Sequence, residues 1–369
     1  MEILRDTVIK IDLSAIAQNM RNICQLMEKD TAVAAVVKAN AYGHGVLKLA
    51  PVLMNSGASL LAVATLEESL EIRSCYPYPV LVMGLTPDSC LHYVIEHDII
   101  QTVDSLHQAL LLEKIAARQH KTGTIHLKID TGFHRIGFPS SENGLEEALS
   151  VCRLPHLQTD GIFSHLALLN DETNQLQFDR FQNAVQFLES EGCHFHYKHI
   201  ADSIALVDYP QYRLNLVRAG ALIYGLRGFH KGYVSVRQAL TFETKICHIS
   251  SLKKGEGVSY DYAWRAPEDT RVGTLPFGYA DGYPRNLFQK GRVTIHGVSC
   301  PIVGVICMDQ CMVDLTLVPE ARIGDRVIIY GDGTENTLDI QAVSQLAQTN
   351  KNEIVSRLSE RPRRIYYGL

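Results

Sequence analysis

The 369-residue sequence contains no run approaching the roughly 20 consecutive apolar residues of a bilayer-spanning helix, so a membrane-embedded body is not expected. Its opening residues, Met1-Glu2-Ile3-Leu4-Arg5-Asp6, carry charge where a secretion signal needs an apolar core, and a cytoplasmic location is the expectation. Blocks of like charge are missing as well. With 35 basic residues dispersed among 40 acidic ones and a formal charge of -5, neither nucleic acid nor an anionic membrane surface is expected as a partner. Cysteine lacks any framework spacing: the nine residues, an odd number, point to reduced thiols rather than disulfides. Cys307 and Cys311 have no second pair to complete a metal site, and the histidine run His194, His196, His199 shares no other ligand group, so no metal is expected. Finally, no G-x-G-x-x-G turn is present to support an open dinucleotide-binding sheet.

What is present is ordinary globular composition, 46% hydrophobic and 20% charged, over a length that predicts two domains. From about residue 33, short β-branched runs alternate with helical patterns. The expected strands are Ala34–Val37, Leu61–Thr65, Val80–Met83, Ile99–Val103, Ile125–Ile129, Gly161–Ser164, Tyr197–Ile200 and Leu214–Val217. Helices such as Ser105–Arg118 and Leu176–Glu191 lie between them. Eight such units in about 200 residues predict an N-terminal (β/α)8 barrel of the TIM type over residues 1–235. Beyond residue 236 the texture becomes that of a mostly-β domain, 236–369, with strands expected at Leu240–Ile249, Gly257–Tyr260, Arg271–Pro276, Arg292–Ile295, Ile302–Ile306, Met312–Leu315 and Arg326–Ile329. One helix, Asp339–Leu346, interrupts them.

Barrel enzymes place their chemistry at the C-terminal ends of the strands. Five polar side chains fall there: Lys38, Lys128, His165, Ser203 and Arg218. Lys38 follows the apolar run Ala34-Ala35-Val36-Val37, where desolvation would lower its pKa and make it a nucleophile towards an aldehyde. The loops after strands seven and eight, with the Ser203 hydroxyl and the backbone N–H groups of Gly220 and Ala221, suit a phosphate.

The segment Ala35-Val36-Val37-Lys38-Ala39-Asn40-Ala41-Tyr42-Gly43-His44-Gly45 resembles the cofactor-lysine motif of the alanine racemases, which use pyridoxal 5'-phosphate. The resemblance continues through His126 to Gly137, Ser164-His165, His199 to Ser203, Arg218-Ala219-Gly220, Gly257-Val258-Ser259-Tyr260, Gly278 to Tyr283 and Cys307-Met308-Asp309-Gln310. It implies that Lys38 carries the cofactor as a Schiff base and that Tyr42 and Tyr366 add hydroxyls to the phosphate site. Arg218 would face the pyridine nitrogen, with His165 behind it. Racemisation needs a base on each face of the substrate. The family assigns Lys38 to one face and Tyr260, from the neighbouring subunit of a homodimer, to the other. Arg135 would clamp the substrate, Lys128 matches a position that can be carbamylated, and Met308, Tyr279 and Asp309 match partner residues that close the site. The implied reaction interconverts L- and D-alanine, supplying D-alanine for peptidoglycan. A serine or broad-specificity racemase is the alternative on the same scaffold, and decarboxylation a remoter one. Three departures keep the substrate open: Asp261-Tyr262-Ala263-Trp264 follows the catalytic tyrosine, Ala219 replaces a usual proline, and Asp202 stands where asparagine is usual.

Overall fold

A computed structural model describes residues 4–368. The chain begins with β1 (Val8–Asp12), and a first group of strands follows as β2 (Ala32–Val36), β3 (Leu60–Val63), β4 (Val80–Val82), β5 (Ile100–Val103), β6 (Gly123–Asp130), the short β7 (Phe138–Pro139), β8 (Leu157–Phe163), β9 (Tyr197–His199) and β10 (Leu216–Ala219). Among the described residues, eight of these form one parallel path in the order β10-β2-β3-β4-β5-β6-β8-β9, with β7 beside β6. No ladder joins β9 to β10; a backbone bond from Arg218 N to Ala201 O, 3.0 Å, bridges them. This is the expected barrel, nearly closed. Ala34, Ala35, Leu61, Ala62, Val80 and Leu81 are fully buried because helices cover one face and barrel packing the other, which explains the unbroken apolar strand runs.

The second unit contains β11 (Leu240–Lys245), β12 (His248–Leu252), β13 (Gly257–Val258), β14 (Trp264–Arg265), β15 (Thr270–Leu275), β16 (Arg292–Ile295), β17 (Val298–Val303), β18 (Cys311–Asp314), β19 (Arg326–Tyr330) and β20 (Arg363–Tyr367). Its main sheet runs β12-β15-β18-β17-β16-β19-β11-β1-β20, and the expected helix is present at Ile340–Leu346.

Several expectations are corrected. The division at residue 235 would place β1 with the barrel, whereas β1 pairs with β11 and β20 in the second sheet. Neither β1 nor β20 was expected as a strand, since each is short and its partners lie hundreds of residues away. The single strand expected at Leu240–Ile249 is two, because at Ile246 and Cys247 the backbone turns from Asp325 O to Thr274 O and so changes neighbours from β19 to β15. The strand expected to reach Tyr260 stops at Val258, where Ser259 adopts φ 63°. Similarly, β17 ends at Val303 rather than Ile306, before Gly304 at φ 67°.

Candidate active site

Lys38 leaves the end of β2 on a backbone that few sequences adopt. Ala39, Asn40, Ala41 and Tyr42 all have φ between 52° and 54°, one turn of left-handed helix, closed by Gly43 at φ 77°. Each L-residue in that region costs roughly 1–2 kcal/mol, so the turn must be held from outside. Glu68 does this: its carboxylate accepts the N–H of Ala39 at 2.5 Å and of Ala64 at 2.8 Å. The Asn40 side chain accepts the N–H of Val46 at 2.8 Å and secures the exit. The turn leaves Lys38 half-buried. Burial lowers its pKa, and the charges of Arg135 and Arg218 add to this while Glu68 opposes them.

Arg218, on β10, is buried and makes no ion pair with a described carboxylate. Its Nη1 donates to His199 Nδ1 at 2.7 Å; its Nη2 donates to Ser164 O and Ile200 O, both at 2.9 Å, and to His165 Nδ1 at 3.2 Å. Burial brings its pKa down to about 10, well above neutrality, so it remains charged. The pKa of His165 falls to about 2 through burial and the surrounding cations, Arg218 first. Sequence reasoning gave His199 no part in the site; its contact is the shortest of the four hydrogen bonds that hold Arg218.

The phosphate-binding candidates also converge. Ser203 Oγ accepts the Gly220 N–H at 2.8 Å, and a Cβ on Gly220 would fall 2.9 Å from the Tyr42 hydroxyl, so glycine keeps this corner open. Burial, with Asp202 nearby, pushes the Tyr42 phenol up to about 12 and keeps it a neutral donor. Ala221 lines the same cavity. Tyr366 does not: its hydroxyl presses against Gly45 outside the cavity wall.

Lys128, on β6, donates to Ile129 O at 3.0 Å, and burial, reinforced by Arg218, lowers its pKa to about 7. Arg135 does not pair with Asp130, whose carboxylate is taken by the N–H groups of Gly132, Phe133 and His134. Instead Arg135 lies 4.5 Å over the Phe133 ring and reaches the cavity. The cavity holds about 600 Å³ and is lined by Lys38, Tyr42, Lys128, Arg135, His165, Ser203, Arg218, Gly220 and Ala221. Sequence reasoning missed Met83, Phe163, Lys351 and Asn352 on its wall, because no local pattern marks them.

Tyr260, Tyr279, Met308 and Asp309 lie elsewhere, in a second cluster on the β unit. Ser259 Oγ donates to Val305 O at 2.7 Å, Tyr279 N to Cys307 O at 3.2 Å and Ala280 N to Met308 O at 3.0 Å, so three loops are tied together. Tyr260 is 65% exposed and Met308 52%, an unusual outlay of apolar surface. Asp309 is held by Arg361 at 2.7 Å.

Fold and site together define a barrel protein whose strand ends deliver a half-buried lysine and a buried arginine to one cavity, joined to a β unit built from both ends of the chain. The chain belongs to the alanine racemase family: the model of that family's N-terminal domain matches residues 11–228 and that of its C-terminal domain residues 239–366. It is 36% identical to the alanine racemase of Clostridium tetani, covering 98% of this chain and 96% of that one. The solved alanine racemase of Clostridium difficile superposes with a TM-score of 0.95 at 32% identity, over 99% of this chain and 97% of the other. A second structure from that organism, a complex with cycloserine, matches with a TM-score of 0.92 at 31% identity, over 99% and 96% of the two chains. No helix among the described residues is long and apolar enough to cross a membrane.

Proposed function

We propose that the protein interconverts L- and D-alanine, with pyridoxal 5'-phosphate held in the barrel cavity and a second copy of the chain completing each site. The division of the site carries this reading: Lys38 and Arg218 share a cavity, while Tyr260 stands exposed in a separate cluster on the other unit. The cavity suits the cofactor. Its volume is that of a small-molecule site, the corner at Gly220 stays open for a phosphate beside Ser203 and Tyr42, and Arg218 is a buried cation without a carboxylate.

When bound, the cofactor supplies an electrophilic aldehyde and a conjugated ring that stabilises negative charge on the substrate α-carbon. Lys38, with its lowered pKa, is the amine that would hold the cofactor through its aldehyde and the base that takes and returns the α-proton on one face. Arg218 gives Nη2 and one Nη1 proton to protein acceptors, and its remaining N–H groups would hold the ring nitrogen of the cofactor. An arginine, which does not release its proton, would leave a ring nitrogen held there unprotonated. Tyr260 of the partner subunit serves the opposite face. Arg135 orients the substrate carboxylate, and the partner subunit's Tyr279, Met308 and Asp309 close the entrance. Lys128, about half neutral near pH 7, can add through its neutral amine to carbon dioxide to give a carbamate and release a proton, turning a cation into an anion facing Arg135. Carbonyl NMR under labelled carbon dioxide, repeated on Lys128→Ala, tests that step. D-Alanine for peptidoglycan is the corresponding cellular product.

The cofactor-loaded protein in D2O should exchange the α-proton of both alanine enantiomers. Exchange with neither would overturn the reading. Lys38→Ala should abolish both exchange and the visible absorbance of the bound cofactor.

A further inference from the structure

One cation in the cavity has no assigned task. Lys351 begins the short helix Lys351–Ser356 near the end of the chain and reaches the cavity wall together with Asn352. Its Nζ would lie 2.6 Å from a Cβ placed on Gly228, and Ile204 Cδ1 lies 3.6 Å from the same point, so the ammonium sits beside the residue that follows Ser203. No hydrogen bond or ion pair to a described residue reaches that ammonium, although the side chain is partly buried. Burial is the one influence that shifts its pKa, and it shifts it downward; no carboxylate stands close enough to raise it. A cation half-removed from water without a counter-ion is costly, and an anionic ligand is the simplest relief.

The wall supplies a reason for such a cation. Asp202 lines the cavity next to Ser203, with Oδ1 accepting the N–H groups of Ile204 and Ala205, each at 3.0 Å. Its charge also raises the pKa of Tyr42 and of Arg218. A phosphate dianion seated between Ser203 and Gly220 therefore meets a carboxylate where the family usually has a neutral asparagine. The Nη groups of Arg218 are taken by His199, His165 and two carbonyl oxygens, so Arg218 meets Asp202 through its charge alone, and Lys128 donates to Ile129 O.

We infer that Lys351 is a phosphate-binding residue of the cofactor site, an ammonium supplied by the C-terminal unit that fixes the phosphate end of pyridoxal 5'-phosphate. The inference rests on the proposed cofactor reading of the cavity. Pyridoxal, which has the ring and aldehyde but no phosphate, separates the two. The full-length chain is stripped of cofactor and titrated with each compound, following absorbance of the adduct on Lys38, in the parent protein, Lys351→Met and Lys351→Arg. A charge-assisted contact predicts that Lys351→Met weakens pyridoxal 5'-phosphate binding roughly tenfold or more, leaves pyridoxal binding within about twofold, and is largely rescued by Lys351→Arg. Inorganic phosphate should in addition compete less well for Lys351→Met than for the parent. Unchanged binding of the phosphorylated compound, or equal weakening of both compounds, overturns the assignment of Lys351 while the cofactor reading stands. Failure of the parent protein to bind pyridoxal 5'-phosphate overturns both.

Discussion

Arg218 Nη1 lies 2.7 Å from His199 Nδ1, and because a guanidinium can only donate, this contact fixes the protonation of two buried histidines. His199 must accept at Nδ1 and therefore carries its proton on Nε2, which lies 3.0 Å from His126 Nδ1. His126 in turn holds its proton on Nε2, facing Asp160 Oδ2 at 3.7 Å. Both rings are fully buried, and burial lowers the pKa of each, consistent with neutral imidazoles. The chain Arg218, His199, His126, Asp160 thus orients the arginine from deep inside the barrel.

Removing the acceptor should be costly. His199→Phe leaves a buried guanidinium N–H unsatisfied, an expected loss of about 1–3 kcal/mol in stability. Turnover should fall as Arg218 loses its orientation, and His199→Asn, which retains a side-chain acceptor, should recover part of both. Denaturant unfolding and steady-state kinetics on the three proteins check this.

The left-handed turn after Lys38 makes a prediction of opposite sign. Ala39 is exposed at φ 52°, so Ala39→Gly relieves strain with little lost packing. The gain exceeds the entropy cost of glycine and should amount to about 0.5–1 kcal/mol. Ala39→Val, β-branched and in the same conformation, should destabilise by at least as much. Urea midpoints at constant slope would show the order Gly, Ala, Val; the reverse order would contradict the strained turn.

Lys128 gives a pH dependence. Its folded-state pKa of about 7 lies below that of an unfolded lysine, so between the two values the unfolded chain binds the extra proton. Stability should therefore rise with pH from about 7 to about 10.4, with a contribution from this residue of at most about 1.4 kcal/mol per pH unit. Lys128→Met removes that contribution. Unfolding free energies of parent and variant measured across the window should converge as pH rises.

Sharing of sites between subunits can be tested by mixing two inactive proteins. Lys38→Ala supplies a sound Tyr260 cluster, and Tyr260→Phe supplies a sound cavity. Random exchange of subunits in a two-fold dimer gives half mixed dimers with one intact site each, so activity should return to roughly a quarter of the parent value. Recovery that does not appear after verified subunit exchange would place Tyr260 in its own chain's site.

Much of this was written locally in the chain. The buried strands of the barrel announce themselves as apolar runs, since a parallel sheet covered on both faces has no polar side to alternate with. Lys38, His165, Ser203 and Arg218 could be picked out because each stands at or just past the end of such a run, where barrel geometry gathers side chains from distant strands. Only the tertiary structure could decide the rest. That β1 joins β11 and β20 depends on pairings between opposite ends of the chain, which no local periodicity encodes. The part played by His199 follows from a 2.7 Å contact, and that of Lys351 from a helix folded back over Gly228. Local sequence sets which segments must be buried; the charges that end up facing one another are set by how the whole chain closes.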